Sequence, residues 1–486
     1  MSRLRRKTSK LATVSAPRQQ TENPQPLAVV PNRTPIAKKR FVRLTLWPLV
    51  AATFFMVSGG TYGTEEIVHG AGYGRAILIL LLTPLLWSLP TAFMIGELSS
   101  ALPYEGGYYA WVRRAMGNFW GFQEAWLSLV ASIFDMAIYP TLFVAYLTRM
   151  FPWFSTNNRG WWVALAVVIA CAALNIAGVK VVSLTSLWLF FALSAPFVVI
   201  VLLAPFKMGA LANAVTKPTT SSMDILGGLL ICMWNYMGWD NASTIATEVE
   251  KPQRTYPRAM LVAVAIVALS YVLPFAAMWM TGLKPTAWET GSWADIAGLL
   301  GGPLLRIGVV LGGVISAFGM FNALVMSYSR LPLAMAQDGM LPGIFAKLQS
   351  RSRAPWVAII ALAVGWAMCL GLGFARLVTL DILLYGASLL LEFVALAVLR
   401  FREPDLPRPF RVPGGRFGAI AIGIPPMLLL GFSVIRSEHE QVWNMSSFEF
   451  GMILIAAGFV AYAVNHLLKP QGWAPVGRAE KPQPAA

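Results

Sequence analysis

A short glycine-rich run interrupts the first hydrophobic segment, and it is the stretch best suited to bind a small solute. Val57 and Ser58 precede Gly59 and Gly60, and Tyr62 follows them. A helix broken here leaves amides unpaired on one half and carbonyls unpaired on the other. Inside a membrane, such groups are tolerated only where they line a polar cavity. Because amide ends attract anions, Ser58, Gly59 and Gly60 are candidates to meet an anionic group of the solute.

A second break is expected in the sixth hydrophobic segment, where Gly238 lies within the sequence WNYMGWD. Trp234, Tyr236 and Trp239 flank this glycine and are candidate walls of the site, since an ammonium over an aromatic face gains about 0.5–2 kcal/mol. Glycines in membrane helices also serve close helix packing. Two breaks in corresponding positions of two halves instead favour one solute site near the membrane midplane.

Carboxylates inside hydrophobic segments are the next candidates. Asp135 lies midway along the third segment, and buried acids of this kind mark cation or substrate paths. We therefore assign it to substrate binding, with a structural hydrogen bond as the alternative. Glu65 and Asp240 fall in the first turn after each break, where an acid is usually a partner of the helix dipole. If either faces the cavity, it attracts an amine and repels a carboxylate.

Coupling or gating is assigned to a small group of residues. They are Glu65, Glu97, Glu124, Tyr385 and Glu392. A buried carboxylate can carry a proton near neutral pH. Glu97 and Glu124 could instead tie loops to Arg113 or Arg114, and we favour this tethering role.

The elements that must position these residues are membrane helices. The 486-residue chain is 57% hydrophobic and 12% charged, against about 25% charged in soluble domains. Twelve apolar segments indicate an all-α polytopic membrane protein. They span 44–69, 75–101, 119–150, 160–177, 180–205, 222–248, 257–282, 304–334, 355–373, 376–400, 417–435 and 449–468.

The net charge of +16 is distributed in a way that fits a membrane protein rather than a nucleic-acid partner. Reading the tails and alternate loops as one side collects 29 of the 38 Lys and Arg residues. This pattern predicts a protein of the plasma or inner membrane with both termini on the cytoplasmic side. The basic residues would then lie near lipid headgroups.

Other chemistries are disfavoured by what the sequence lacks. The three cysteines, Cys171, Cys232 and Cys369, are far apart in apolar segments, so neither a disulfide nor a metal site is expected. No HExxH, P-loop or GxSxG motif is present. We expect no cofactor, no enzyme activity and no ATP-driven pumping. A channel would need a continuous polar path, whereas the charged residues here are few and dispersed. A solute sensor that binds without transporting stays open as an alternative.

Composition also divides the chain into four parts. They are a disordered tail at 1–42, a transporter core at 43–400 with repeats at about 43–205 and 222–400, a loop with two extra helices at 401–468, and a tail at 469–486. The repeats share no strong identity, which is expected of inverted structural repeats.

Several motifs resemble one transporter superfamily. They are VSGGTYGTEE (57–66), GELSSALPYEGGYYAWVRRAMG (96–117), WNYMGWDNASTIATEVEKPQRTYPRA (234–259), SRLPLAMAQDGMLP (329–342) and LRFREPDLPRPFRVPGG (399–415). The chain resembles the amino acid–polyamine–organocation superfamily, and within it the polyamine uptake branch related to light-chain amino acid transporters. The resemblance implies a LeuT-type fold with five-plus-five helices, breaks in helices 1 and 6, and secondary transport.

The resemblance leaves the substrate open between polyamines and amino acids. Asp135, Glu65, Asp240 and Glu392 favour a di- or polycation, whereas the amides of the glycine run suit a carboxylate equally. One subgroup of the superfamily carries a lysine midway along helix 5, but residues 186–199 contain none. Proton coupling would need other groups, and sodium is the alternative. We expect import by alternating access, and the sequence does not indicate an oligomeric state.

Overall fold

A computed structural model describes most of the chain. The described residues are 45–102, 106–178, 182–214, 224–241, 243, 249–442 and 444–468. Both predicted tails lie outside them, as does most of the stretch that follows Asp240 in the sixth segment.

Helices dominate the described residues. The α-helices are α1 (Leu46–Val57), α2 (Glu65–Ala71), α3 (Tyr73–Thr83), α4 (Leu89–Ala101), α5 (Gly107–Met116), α6 (Asn118–Met150), α7 (Arg159–Ala177), α8 (Val182–Leu203), α9 (Ile225–Asn235), α10 (Pro252–Met280), α11 (Trp293–Gln337), α12 (Trp356–Met368), α13 (Phe374–Arg402), α14 (Gly415–Ala421), α15 (Ile424–His439) and α16 (Ser447–Leu468). A π-helical turn at Pro84–Ser88 joins α3 to α4. Two short strands, β1 (Gln441–Val442) and β2 (Met445–Ser446), pair antiparallel.

The predicted fold class is confirmed. By length and composition, nine helical stretches of the described residues can cross a membrane, and α1 and α12 are shorter apolar helices. Together with α9, they account for all twelve predicted segments. The assignment of the two halves to inverted repeats stays a prediction.

Both predicted breaks are present. Helix α1 ends at Val57, and α2 begins only at Glu65. Between them, Gly59 and Gly60 have φ values of 61° and 102°, which lie in the region that glycine adopts readily. Helix α9 ends at Asn235, and Gly238 follows with φ of 85°. The glycines therefore end each helix in the middle of an apolar segment.

Two helical stretches were not predicted. The Gly- and aromatic-rich residues 102–117 read as a connection between segments, yet they contain α5, which ends at Met116 and buries Tyr108, Tyr109 and Trp111. Helix α11 begins eleven residues before the predicted segment 304–334 and departs from helical geometry at Gly302. Short amphipathic helices lack the long apolar run by which membrane segments are recognised.

The centre of the bundle is formed by α6, which packs along both α11 and α13. Helix α6 starts next to α5, and α13 ends there, because Arg114 on α5 pairs with Glu403 just after α13. We call this end of the bundle the α5 face. The loop at 284–292 lies at the opposite face, near the end of α6. Helices α6 and α13 therefore run antiparallel.

Candidate solute site

The two helix breaks touch one another. The Asn235 side-chain amide donates to the Gly63 carbonyl at 3.3 Å. A Cβ on Gly238 would lie 3.0 Å from the Met56 carbonyl oxygen, so only glycine allows this approach. Tyr271 on α10 donates its hydroxyl to the Asn235 carbonyl at 2.9 Å. The breaks thus form one joined centre, as the paired glycine signals predict.

Asp135 lies buried beside this centre and accepts three hydrogen bonds. Its Oδ1 accepts from the Tyr139 hydroxyl at 3.1 Å and from the Trp234 indole at 3.2 Å. Its Oδ2 accepts from the Tyr328 hydroxyl at 3.0 Å. These donors are neutral and come from α6, α9 and α11, so Asp135 joins three helices without a described cation beside it.

Asp240 follows the second break and is held in a similar way. Its Oδ1 accepts from the Tyr385 hydroxyl at 2.7 Å, and that hydroxyl in turn accepts from the Gly238 amide at 3.4 Å. Asp240 also interacts electrostatically with Asp135. The substrate-binding candidate Asp240 and the gating candidate Tyr385 therefore lie in the same centre as Asp135.

Sequence reasoning missed Asp381 on α13. Its side chain is 1% exposed, and Oδ2 has no hydrogen-bond partner among the described residues. It interacts electrostatically with Asp135 and Asp240. The signal was present, because Asp381 is a carboxylate inside a predicted membrane segment, the criterion that identified Asp135. Tyr328 was missed as well, since nothing local marks a tyrosine as a partner of a distant acid.

The amides of the glycine run are occupied, which differs from the expectation of free donors. Those of Ser58 and Gly59 both donate to the Phe54 carbonyl, at 2.8 and 3.3 Å. The Gly60 amide donates to the Ser58 hydroxyl at 3.1 Å. The Gly59 carbonyl accepts from Ser316 on α11 at 2.5 Å. The chain that leaves α1 thus satisfies its own donors before a substrate arrives.

The flanking aromatic residues divide into two groups. Trp234 contacts Asp135, as described above. Tyr236 points elsewhere, because its hydroxyl donates to the Leu80 carbonyl on α3 at 2.9 Å. The Trp239 indole donates back to the Tyr236 carbonyl at 2.7 Å. These two contacts fix the break itself rather than adding hydrogen bonds to the acidic centre.

At the other break, Val57 and Tyr62 are both buried. Tyr62 stacks edge-on against Tyr146 and Phe197, and its hydroxyl lacks a hydrogen-bond partner in the described part of the chain. Glu65 accepts from the Tyr146 hydroxyl and from the Gly291 amide, the latter at 3.0 Å.

An ionic network adds to these contacts at the opposite face. Thr290 donates to Glu66, which adds to the Glu65 contact between α2 and the loop at 284–292. Arg149 pairs with Glu289 and Asp295, at 2.8 Å each. The position of Glu65 is consistent with its predicted gating role, which stays a prediction.

Glu124 and Glu392 lie together, closer to the α5 face. Glu124 accepts from Ser388 at 2.6 Å and from Ser128 at 3.3 Å. Glu392 interacts electrostatically with Glu124 and Asp240, and neither of its carboxylate oxygens has a partner among the described residues. The expected tether from Glu124 to Arg113 or Arg114 is wrong, because Glu124 is buried inside the bundle and bonds to serines.

Glu97 does tether a loop, but through other arginines than predicted. Arg400 donates to both of its oxygens at 2.5 Å, and both side chains are fully buried. Arg408 approaches at 3.1 Å, and the Val412 amide donates at 2.7 Å. Glu97 thus holds the loop after α13 against α4.

The two predicted arginine partners pair elsewhere at the α5 face. Arg113 lies 2.7 Å from Asp338. Arg114 pairs with Glu403 at 2.6 Å, and this hydrogen-bonded contact lowers the pKa of Glu403 below its usual value. Both arginines therefore form ion pairs with acids that lie outside the buried centre.

A cleft with a volume of about 100 Å³ opens beside α2, α9 and the start of α13. Its lining includes Glu66, His69, Asp224 and Thr379. Thr379 is two residues from Asp381 on α13. Within the described residues, no group of three potential ligands could hold a metal ion.

A polytopic helical bundle with two broken helices around one buried polar centre is the architecture of a membrane solute transporter. Comparison with known proteins agrees. A family model for amino acid permeases matches residues 50–460. The chain belongs to the amino acid permease family, and it is a transporter rather than an enzyme.

Individual relatives cover most of the chain. It is 33% identical to polyamine transporter RMV1 of Arabidopsis thaliana over 439 residues, or 89% of this chain and 87% of that protein. It is 34% identical to polyamine transporter PUT1 of Oryza sativa subsp. japonica, over 85% of this chain and 77% of that protein. It is 25% identical to the serine/threonine exchanger SteT of Bacillus subtilis, over 81% and 89%.

Proposed function

We propose that this protein imports linear amines, with di- and polyamines as its substrates, by alternating access across the cell membrane. The carrying observation is the acidic centre formed by Asp135, Asp240 and Asp381, which lies beside the second of the joined helix breaks. The described donors to this centre are neutral tyrosine, tryptophan and backbone groups. A cation that enters can therefore supply the missing positive charge.

The same geometry disfavours a substrate carboxylate. Such a group would meet buried carboxylates of like charge, and it would have to displace the Ser58 hydroxyl from the Gly60 amide. The similarity to two plant polyamine transporters supports the amine assignment.

Amino acid exchange is the second candidate. It is favoured by the glycine run, whose backbone could rearrange around a carboxylate, and by the similarity to a serine/threonine exchanger. Transport of a neutral amino acid with no uptake of diamines would support this candidate over the first.

Alternating access requires that each face can close. At one face, Glu65 and Arg149 connect to the loop at 284–292. At the α5 face, Glu97 and Arg400 hold the loop after α13. We propose that these two sets of contacts open in turn, that the termini lie in the cytoplasm, and that a proton or sodium ion drives uptake.

The test is uptake into proteoliposomes that contain the purified protein. Labelled putrescine, arginine and serine are each presented with a pH gradient, with a sodium gradient, and with neither. We expect putrescine to accumulate with one of the two gradients. Binding of putrescine without counterflow would instead indicate a solute sensor, and arginine or serine uptake alone would favour the second candidate.

Substitution of Gly59 tests the first break. An added Cβ would lie 2.0 Å from the Met320 sulfur and 2.7 Å from the Ser316 hydroxyl, at a φ of 61°. We expect Gly59→Ala to lower putrescine uptake at least tenfold and to cost about 1–3 kcal/mol of stability, as overpacking usually does. The readouts are initial uptake rate and melting temperature in detergent.

Gly371→Ala is the matched control, because a Cβ at that position meets nothing within 4 Å. It should transport and melt like the wild type. If Gly59→Ala also behaved like the wild type, the close approach of the first break to α11 would not matter for transport.

A further inference from the structure

Four buried acids occupy matching positions on the antiparallel helices α6 and α13. Glu124 and Asp135 are eleven residues apart on α6, and Asp381 and Glu392 are eleven residues apart on α13. Eleven residues make about three helical turns, so the two acids of each helix lie within about 20° of one face and roughly 16 Å apart. Both helices therefore present carboxylates at two levels.

Contacts align the levels across the two helices. Ser388 lies one turn before Glu392 on α13, and its hydroxyl contacts Glu124 at 2.6 Å and Ser128 at 2.9 Å. Asp381 interacts electrostatically with Asp135. We call Asp135 and Asp381 the central pair. Glu124 and Glu392, closer to the α5 face, are the inner pair.

The inner pair has the properties expected of a cation-binding site. Both acids are fully buried. Neither oxygen of Glu392, nor Oε2 of Glu124, has a hydrogen-bond partner among the described residues. A buried carboxylate without a partner is unfavourable, and natural proteins leave few such groups unexplained. Two arginines at this face pair with other acids, since Arg400 binds Glu97 and Arg113 binds Asp338.

Asp240 connects the two levels. It interacts electrostatically with both acids of the central pair and with both acids of the inner pair. It also follows Gly238, at the second helix break. Negative charge thus extends from the helix breaks towards the α5 face, along the direction in which an imported solute would leave.

We propose that the inner pair is a second ammonium subsite, which makes the protein selective for long polyamines. The inference rests on the proposed function, since it names the substrate class of the same pathway. An extended spermine chain spans about 16 Å between its terminal nitrogens at ordinary bond lengths and angles, which matches the separation of the two levels. Putrescine is too short to reach both pairs and occupies one at a time.

The experiment compares spermine with putrescine in proteoliposomes of the full chain. Glu392→Gln should raise the KM for spermine at least tenfold and leave the KM for putrescine within about twofold. Asp381→Asn should raise the KM for both substrates, because it alters the central pair. Glu449→Gln removes an exposed acid near the start of α16 and should change neither value.

Three outcomes would overturn the inference. Equal loss of spermine and putrescine transport in Glu392→Gln would make the residue general rather than length-selective. An altered pH dependence that is the same for both substrates would make the inner pair a proton carrier. Unchanged transport of spermine and putrescine in Glu392→Gln would show that Glu392 is not on the transport path.

Further observations distinguish misfolding of a variant, failure of the proposed function and failure of the subsite alone. If Glu392→Gln does not purify as a monodisperse protein, Glu124→Gln takes its place with the same expected selectivity. If the wild type takes up neither amine, the proposed function fails, and the subsite fails with it. If the wild type takes up both amines and the variants show no selectivity for length, the subsite alone fails.

Discussion

Asp135→Asn is expected to abolish measurable putrescine uptake at micromolar substrate while leaving the protein folded. The carboxylate is the central acceptor for Tyr139, Trp234 and Tyr328. An amide of the same shape can keep part of this hydrogen bonding but cannot neutralise an ammonium. Truncating one partner of a buried charge pair costs about 2–5 kcal/mol, so the affinity should fall by roughly 30-fold or more. Isothermal titration calorimetry measures the affinity for putrescine, and initial uptake rates measure transport.

Asp405→Asn is the matched control, because this acid is exposed in the loop after α13. It undergoes the same chemical change outside the bundle and should bind and transport like the wild type. Unchanged putrescine affinity in Asp135→Asn would contradict the acidic-centre proposal and would leave Asp135 as a structural hydrogen-bond acceptor between three helices.

Glu97→Gln is expected to cause the largest loss of stability among the acid-to-amide changes. It removes the counter-charge of Arg400, which is fully buried and donates to both Glu97 oxygens. Breaking a buried pair from one side costs about 3–5 kcal/mol, because the remaining charge is left uncompensated. The melting temperature in detergent should fall clearly, and protease should cut the loop at 403–414 sooner.

Glu403→Gln provides the comparison, since it breaks the more exposed pair with Arg114. Exposed pairs contribute about 1 kcal/mol or less, so this variant should melt close to the wild type. Equal destabilisation by the two variants would contradict the assignment of Glu97 as the main anchor of the loop.

Much of the site was predictable because lipid leaves few options. A glycine pair in an apolar segment indicates a broken helix, and Gly59 and Gly238 behave in this way. A carboxylate in a membrane segment indicates a buried polar centre, and Asp135 lies there. These inferences need only the local sequence and the cost of polar groups in hydrocarbon.

The hydrogen-bond and ion-pair partners of these buried acids could not be predicted, because they come from distant parts of the chain. Tyr328 reaches Asp135 across 193 positions, and Arg400 reaches Glu97 across 303. The predicted partners of Glu97, Arg113 or Arg114, are near it in sequence. The orientation of Tyr236 towards α3 and the occupied amide of Gly60 depend on packing that no local pattern encodes.

The contact between Gly238 and Met56 limits how a gate can move. With only 3.0 Å between the Met56 carbonyl and a Cβ position on Gly238, a tilt of α1 in that direction pushes directly on the second break. The hydrogen bond from Asn235 to Gly63 resists separation in the other direction. We therefore expect the two discontinuous helices to shift together, because movement of one alone would break this hydrogen bond or press the two backbones into contact.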